Sequence, residues 1–268
     1  MAISNSENGR CNTVVFEKNG MAYISGNGNL NAHLPTLVFI HGSGQCGMFW
    51  EMQINGLSDI VNTIAVDLPG HGKSKGTGFE SVEDYGKTVF ELIRSINAPH
   101  PVLCGLSIGG AIVQHLLLKH RGFFRAGILI NTGARLKVLP LIMDTVRKNH
   151  RAYLKMLIHM GVAEENRSDA LLCKKILACS NAEPGVTAGD FKACHEFDTM
   201  ATIHGIAIPV LVLSAEKDAL TPVKYGSWLA RHIRTAQHVI IGKAGHMSPM
   251  EQPDAVNKAI RKFIQSMK

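Results

Sequence analysis

Apolar positions along the chain fall into short runs of strand length that are separated by amphipathic stretches. The runs 37–40, 63–66 and 101–106 are predominantly apolar, which is typical of strands buried on both faces of a parallel sheet. Between the second and third run, residues 81–96 carry apolar side chains at three- and four-residue spacing, the pattern of an amphipathic helix. This alternation predicts an α/β domain with a doubly wound, mostly parallel sheet.

The rest of the chain extends this pattern. Residues 12–17 and 21–25 are β-prone and are separated by a turn that contains Asn19-Gly20. This pair supplies the positive φ of a tight hairpin and predicts an antiparallel edge of the sheet. Three more strands are predicted at residues 126–130, 208–214 and 236–241, and two more helices at residues 111–119 and 256–267.

One long segment departs from the alternation. From Leu139 to about Thr202 the chain shows only helical patterns, and Pro140 suits the first turn of a helix. We predict a helical cap, residues 135–203, inserted into an α/β core made of residues 12–134 and 204–268. Core and cap are expected to form one structural unit.

Composition and charge narrow the class of protein. The chain has 268 residues, of which 46% are hydrophobic and 18% are charged, and these values suit one folded domain. Its net charge of +7 comes from Lys and Arg residues that are scattered singly, so we expect no nucleic-acid partner. The N-terminal sequence lacks a secretion-signal pattern, and no apolar run is long enough to cross a membrane. We therefore expect a cytoplasmic protein without membrane contact.

The cysteines and histidines show no metal-binding pattern. Six cysteines include no CxxC pair and are expected to be reduced thiols. The cluster of Cys194, His195, Glu196 and Asp198 matches no closed ligand spacing. We therefore predict no metal and no cofactor, and the sequence does not indicate the oligomeric state.

A serine lies between a predicted strand and a predicted helix. Residues 105–110 read Gly-Leu-Ser-Ile-Gly-Gly, so that Ser107 is flanked by glycines two residues away on either side. A sharp strand-to-helix turn of this kind exposes the serine hydroxyl and needs small neighbours where the chain passes closely. We predict that Ser107 is a catalytic nucleophile on such a turn.

A serine hydroxyl needs a base, and the base needs a partner that fixes its tautomer. Asp218 and His246 each follow a predicted strand, so both are expected at the same sheet edge as Ser107. We predict His246 as the base and Asp218 as its orienting acid, with Glu216 as the rival for the acid's role. Nucleophile, acid and histidine follow one another along the chain in the order found in enzymes whose nucleophile lies on such a strand-to-helix turn.

The loop after the predicted strand 37–40 is rich in glycine. It reads His-Gly-Ser-Gly at residues 41–44, and its backbone N–H groups could face a developing oxyanion. We predict that Ser43 and Ile108 supply the two N–H donors, and that His41 braces the loop.

Substrate-binding residues are predicted from loops near the nucleophile. Met48, Trp50 and Met247, together with Gly42, would give an apolar pocket for a small-molecule substrate. Arg135 follows a predicted strand and is a candidate for binding a substrate carboxylate or phosphate. The other interpretation is that Arg135 is exposed to solvent or pairs with an acid of the cap.

Four segments together resemble the α/β-hydrolase superfamily. They are residues 40–44, the stretch Asp-Leu-Pro-Gly-His-Gly-Lys-Ser at 67–74, residues 105–110, and Ala-Gly-His at 244–246. The resemblance covers the chain from about Val14 onward. It implies an eight-stranded sheet, the catalytic triad named above, and a substrate site between core and cap.

The resemblance leaves the reaction open, because this fold hosts many chemistries. Relatives that open epoxides or haloalkanes carry aspartate at the nucleophile position, so Ser107 favours acyl transfer and, first of all, hydrolysis of a carboxylester, lactone or thioester. A carbon–carbon hydrolase of ring-cleavage products is the main alternative, although such enzymes usually have proline and tryptophan where this chain has Gln45 and Met247. Haloperoxidase and perhydrolase activities are further alternatives, and a ligand receptor that retains the triad is an interpretation from a different class of protein.

Overall fold

A mixed sheet of nine strands organises the part of the chain that the structure describes. The computed structural model describes residues 2–5, 14–26 and 28–267, and Cys11 and the predicted strand start at 12–13 lie outside them. The strands are β1 (Ala2–Asn5), β2 (Val14–Lys18), β3 (Met21–Ser25), β4 (Thr36–Ile40), β5 (Asn62–Val66), β6 (Val102–Leu106), β7 (Ala126–Ile130), β8 (Val210–Ala215) and β9 (Ala236–Ile241).

The spatial order of the strands is β1-β2-β3-β5-β4-β6-β7-β8-β9. The strands from β5 to β9 in this order are parallel, and β1, β2 and β3 add an antiparallel edge. The chain thus winds outward from β4 in both directions, as a doubly wound sheet does. All eight predicted strands are present. Strand β1, which pairs with β2 at the outer edge, is not among the strands predicted from the sequence.

Ten α-helices occur in the described part of the chain. They are α1 (Glu51–Leu57), α2 (Val82–Ser95), α3 (Ile108–Lys119), α4 (Pro140–Lys148), α5 (His150–Gly161), α6 (Ala170–Cys179), α7 (Pro184–Glu196), α8 (Val223–His232), α9 (Ser248–Glu251) and α10 (Pro253–Ser266). The predicted helices α2, α3 and α10 are confirmed. Ser81 starts α2 by accepting hydrogen bonds from the N–H groups of Glu83 and Asp84, a standard N-cap.

Two apolar layers sandwich the sheet, as the alternation of side chains along β4 illustrates. Leu37 and Phe39 pack into the layer that contains Trp50 of the following loop and the inner faces of α1 and α10. Val38 and Ile40 pack into the opposite layer, with α2 and α3. Successive strand residues point to opposite faces, so each layer receives every second side chain and the central strands are buried on both sides.

The helical cap is the segment between β7 and β8 that forms α4, α5, α6 and α7. Pro140 occupies the first turn of α4, as the sequence analysis predicts. Buried side chains of the cap, among them Val146, Tyr153 and Ile176, belong to the same apolar cluster as the sheet residue Phe39. Core and cap are thus packed together, and the exact boundaries of 135 and 203 stay a prediction. No helix in the described residues is long and apolar enough to span a membrane.

Candidate active site

Ser107 stands in a strained turn between β6 and α3. Its backbone has φ 55° and ψ −115°, a conformation that costs a non-glycine residue about 1–3 kcal/mol. The turn is tight because a Cβ on Gly105 would lie 2.1 Å from the carbonyl oxygen of Gly109. A Cβ on Gly109 would likewise lie 2.3 Å from that of Ile40. Only glycine suits these two positions, which explains the glycines on both sides of the serine.

His246 is held by a buried carboxylate. Its Nδ1 lies 2.8 Å from Asp218 Oδ2, and both residues are buried. Because a carboxylate can only accept, Nδ1 carries a proton, and Nε2 of the neutral ring is left as the basic nitrogen. Glu216, the rival acid, is exposed and instead accepts a hydrogen bond from the N–H of Lys243.

Asp218 is kept ionised by its neighbours. Burial by itself would raise the pKa of this carboxyl, but His246 and hydrogen bonds from Thr221 outweigh burial and hold the pKa below its usual value. Oδ1 accepts from the N–H groups of Leu220 and Thr221, both at 2.8 Å, and Oδ2 accepts from the Thr221 hydroxyl at 2.7 Å. The carboxylate therefore has a fixed orientation, with Oδ2 toward the imidazole.

Two buried side chains that were not predicted from the sequence hold the loop 242–247, which carries His246, in place. Asn131, at the end of β7, donates to the carbonyl oxygen of His246 and accepts from the N–H of Ala215. Glu251, in α9, accepts from the N–H of Gly245 at 2.9 Å and from that of Ala163 in the cap, also at 2.9 Å. The loop is thus tied to the neighbouring strand ends on one side and to the cap on the other.

Ser107 and His246 open onto one cavity of about 150 Å³. Gly42, Ser43 and Met247, three of the other predicted site residues, also line it. In the described part of the chain, no hydrogen bond joins the Ser107 hydroxyl to the imidazole. The remaining walls come mainly from apolar side chains of the cap, Leu136, Val138, Leu139, Ile142, Tyr153, Met156, Leu157, Met160 and Phe191. The space in front of the serine is therefore small and mostly apolar.

In the described part of the loop after β4, the N–H of Ser43 has no hydrogen-bond partner, while the N–H groups of its two neighbours do. The N–H of Gly42 is bonded to Gln45 Oε1 at 2.9 Å and that of Gly44 to Asp190 Oδ2 at 2.8 Å. Among the described residues, the N–H groups of Ser43 and Ile108 have no hydrogen-bond partner. Ser43 lines the cavity, while Ile108 directly follows the serine at the start of α3. An oxyanion hole requires such unpaired donors close to the nucleophile.

Three of the predicted substrate-binding residues do not reach this cavity. Trp50 is the last residue of a short 3-10 helix, Gly47–Trp50. Its indole ring points into the core and stacks on the ring of Phe39, with centroids 4.9 Å apart. Met48, in the same turn, lines a second cavity of about 600 Å³ to which neither Ser107 nor His246 contributes. Substrate-binding roles for Trp50 and Met48 are therefore withdrawn.

Arg135 is the third residue that does not reach the cavity. Its Nε lies 3.6 Å from Asp198 Oδ2 in the cap, and both side chains are about half exposed. The interpretation of Arg135 as the partner of a cap acid therefore replaces the substrate-binding one. Lys137, two residues later, lines the cavity instead.

The fold, the strained serine turn and the inserted cap define an α/β hydrolase. The model of the alpha/beta hydrolase family matches residues 37–259, which is most of the chain. The chain therefore belongs to this family, and it is an enzyme of the hydrolase class.

Three similar proteins illustrate the range of the family. 3-Oxoadipate enol-lactonase 2 of Acinetobacter baylyi is 28% identical over 243 residues, which cover 87% of this chain and 90% of the relative. Pimeloyl-(acyl-carrier protein) methyl ester esterase of Nitrosomonas europaea is 23% identical over 235 residues, with coverages of 82% and 92%. A solved structure of a thermophilic esterase from Thermogutta terrifontis has a TM-score of 0.82 and 25% identity, and the match covers 95% of this chain and 98% of that one.

Proposed function

We propose that this enzyme is a serine hydrolase that cleaves a carboxylester, lactone or thioester bond of a small, largely apolar substrate. The observation that carries the proposal is the 2.8 Å hydrogen bond from His246 to Asp218 at the same cavity as the strained Ser107. The names of the similar lactonase and esterases describe enzymes that cleave bonds of this class.

In the proposed mechanism, His246 Nε2 takes the proton of the Ser107 hydroxyl as the oxygen attacks the substrate carbonyl. The N–H groups of Ser43 and Ile108 stabilise the oxyanion of the tetrahedral intermediate. His246 then gives its proton to the leaving oxygen or sulfur, and an acyl-enzyme ester on Ser107 remains. A water molecule then gives a proton to the same imidazole as it attacks this ester, and the imidazole returns the proton to the Ser107 oxygen as the acid leaves. Asp218 stays ionised and stabilises the imidazolium.

The cavity limits the acyl group. An apolar cavity of 150 Å³ holds about one benzene ring in a well-studied engineered case, and this cavity has about that volume. We therefore expect short acyl chains of about four to six carbons to react fastest. Longer chains require the cap side chains Met156 and Met160 to move, which flexible methionines permit at some cost.

Steady-state hydrolysis of p-nitrophenyl esters of increasing acyl length tests the proposal, with the wild type beside Ser107→Ala. The proposal expects turnover of short esters, a decline beyond about six carbons, and loss of at least about 10³-fold in kcat for the variant. A ring-cleavage dienone serves as an additional substrate. Consumption of the dienone alone would replace the proposal by carbon–carbon hydrolysis, and binding without turnover would favour a receptor.

We also propose a cytoplasmic location. Cys46, Cys104, Cys173, Cys179 and Cys194 are free thiols, and disulfides are rare in that compartment. Fractionation of cells that express the full chain checks this point, and recovery in a secreted fraction would contradict it.

A further inference from the structure

The cap places a fully buried carboxylate against the loop that holds the proposed oxyanion hole. Asp190 lies in α7 and its side chain has no solvent exposure. Oδ2 accepts from the N–H of Gly44 at 2.8 Å and faces His71 Nε2 at 2.9 Å, and Oδ1 accepts from the Tyr85 hydroxyl at 2.6 Å. A buried charge is stable only when it is paired and hydrogen-bonded in this way. Neither His71 nor Asp190 has a part in the proposed mechanism so far.

The hydrogen-bond partners make His71 and Asp190 an ion pair. His71 Nδ1 lies 3.0 Å from the carbonyl oxygen of Pro69. This oxygen and the Asp190 carboxylate can only accept, so both ring nitrogens donate and the ring is a cation. Burial opposes this charge, but Asp190, Pro69 and Asp67 outweigh it and raise the pKa of His71 above its usual value.

The neighbouring histidine is in the opposite state. His41 Nε2 accepts from the N–H of Leu68 at 3.1 Å, so its ring is neutral, and burial followed by the charge of His71 lowers its pKa well below the usual value. The two rings lie 4.9 Å apart. The cation is therefore confined to His71, where it faces Asp190.

Both the N–H and the carbonyl oxygen of Gly44 form hydrogen bonds with the cap. Its N–H donates to Asp190, and its carbonyl oxygen accepts from the N–H of Ala182, which precedes α7, at 3.2 Å. Gly44 has φ 69°, and a Cβ there would lie 2.9 Å from the Thr187 hydroxyl of α7. The residue before it is Ser43, one of the two proposed oxyanion donors.

We propose that Asp190 is a positioning residue: through the amide of Gly44 it fixes the loop in which Ser43 lines the cavity. This couples the cap to the oxyanion hole, so that a shift of α7 changes transition-state stabilisation as well as the shape of the cavity. The inference rests on the proposed function, because Ser43 matters for the rate only if an oxyanion forms. Asp190 itself touches no reacting atom.

Kinetics of Asp190→Ala and Asp190→Asn test the inference, with concentrations corrected by titration of reactive serine with a fluorophosphonate. We expect kcat per reactive site to fall about 10- to 100-fold in Asp190→Ala, since misplaced donors lose part of the hundredfold or larger effect of an oxyanion-hole donor. KM should change less than about threefold. Affinity for an alkyl boronic acid, which forms a tetrahedral anion on the serine, should fall by the same factor as kcat.

Two further variants separate positioning from mere stabilisation. Tyr85→Phe removes a donor to Asp190 but leaves the contact with Gly44, so it should lower the melting temperature with less than a threefold change in kcat. Glu196→Gln, an exposed change on the same helix, should alter neither quantity. Unchanged kcat and boronate affinity per reactive site in Asp190→Ala, with only a lower melting temperature, would overturn the inference.

Amide hydrogen exchange of the wild type tests the contact without activity or any variant. The N–H of Gly44 should exchange at least about tenfold more slowly than that of Ser43, because only the former is bonded to a buried carboxylate. Equal rates would refute the positioning role. If the wild type hydrolyses no ester, the proposed function fails, while slow exchange at Gly44 would still establish the hold of Asp190 on the loop.

Discussion

Replacement of Asp218 by Asn probes the geometry of the base most sharply. In the wild type, Oδ1 accepts from the N–H groups of Leu220 and Thr221, while Oδ2 faces His246. An asparagine must place its carbonyl oxygen toward the two N–H groups, because its NH₂ group cannot accept from them. The NH₂ group then faces His246 Nδ1 and donates to it, so the proton of the neutral ring moves to Nε2.

A ring with its proton on Nε2 cannot take the proton of Ser107. We expect kcat at neutral pH to fall about 10³- to 10⁴-fold, which corresponds to about 4–5.5 kcal/mol at 1.36 kcal/mol for each factor of ten. The overall fold should persist, because the side chain keeps its shape and most of its hydrogen bonds. The assay is steady-state hydrolysis of a p-nitrophenyl ester of four carbons, normalised to folded protein by circular dichroism.

The matched control is Glu216→Gln, which alters the rival acid. Glu216 is exposed, so this change should leave kcat within about twofold of the wild type. A loss of less than tenfold in Asp218→Asn, or a large loss in Glu216→Gln, would refute the assignment of the orienting acid.

Three further predictions concern backbone, charge and packing. Gly109→Ala should reduce the free energy of unfolding in urea by more than about 3 kcal/mol or abolish folding, because its Cβ would lie 2.3 Å from the carbonyl oxygen of Ile40. A reduction of less than about 1 kcal/mol would contradict the tight turn. The wild type should have a larger free energy of unfolding than His71→Gln, and this difference should be greatest below about pH 6.5. It should shrink as the pH rises through the raised pKa of His71, since the cation facing Asp190 is then lost. A difference that grows between pH 6 and pH 9 would show that the ring is neutral. Trp50→Phe should lower the melting temperature but leave KM for short esters unchanged, since the indole packs in the core; a selective rise of KM would restore its substrate-binding role.

Local signals explain which parts were predictable from the sequence. The turn at Ser107 depends on residues within a few positions of it, and so its glycine pattern can be read directly. His246 and Asp218 follow predicted strands, and parallel strands that end at one edge bring such residues together. The helices α1 and α8 were missed because they are short and bury few apolar residues, which leaves a weak periodic signal.

The contacts of the cap could not be predicted in the same way. Asp190 is 146 residues from Gly44 and 119 from His71 along the chain, and no periodic pattern links such positions. Trp50 looked like a pocket residue because it follows the glycine-rich loop, but one turn of 3-10 helix directs it into the core. The position of Arg135 is set by its pairing with Asp198 of the cap, and no local pattern in the sequence links these two residues.

The proposed mechanism requires that the acyl group of the substrate becomes bonded to the hydroxyl oxygen of Ser107. Mass spectrometry of peptides from protein quenched during turnover of a p-nitrophenyl ester tests it most directly, with fluorophosphonate labelling as a stable substitute for the intermediate. We expect one adduct in each experiment, on the peptide that contains Ser107, and the fluorophosphonate adduct should increase in proportion to the activity lost. An adduct on another residue, or full labelling of Ser107 without loss of ester turnover, would contradict it.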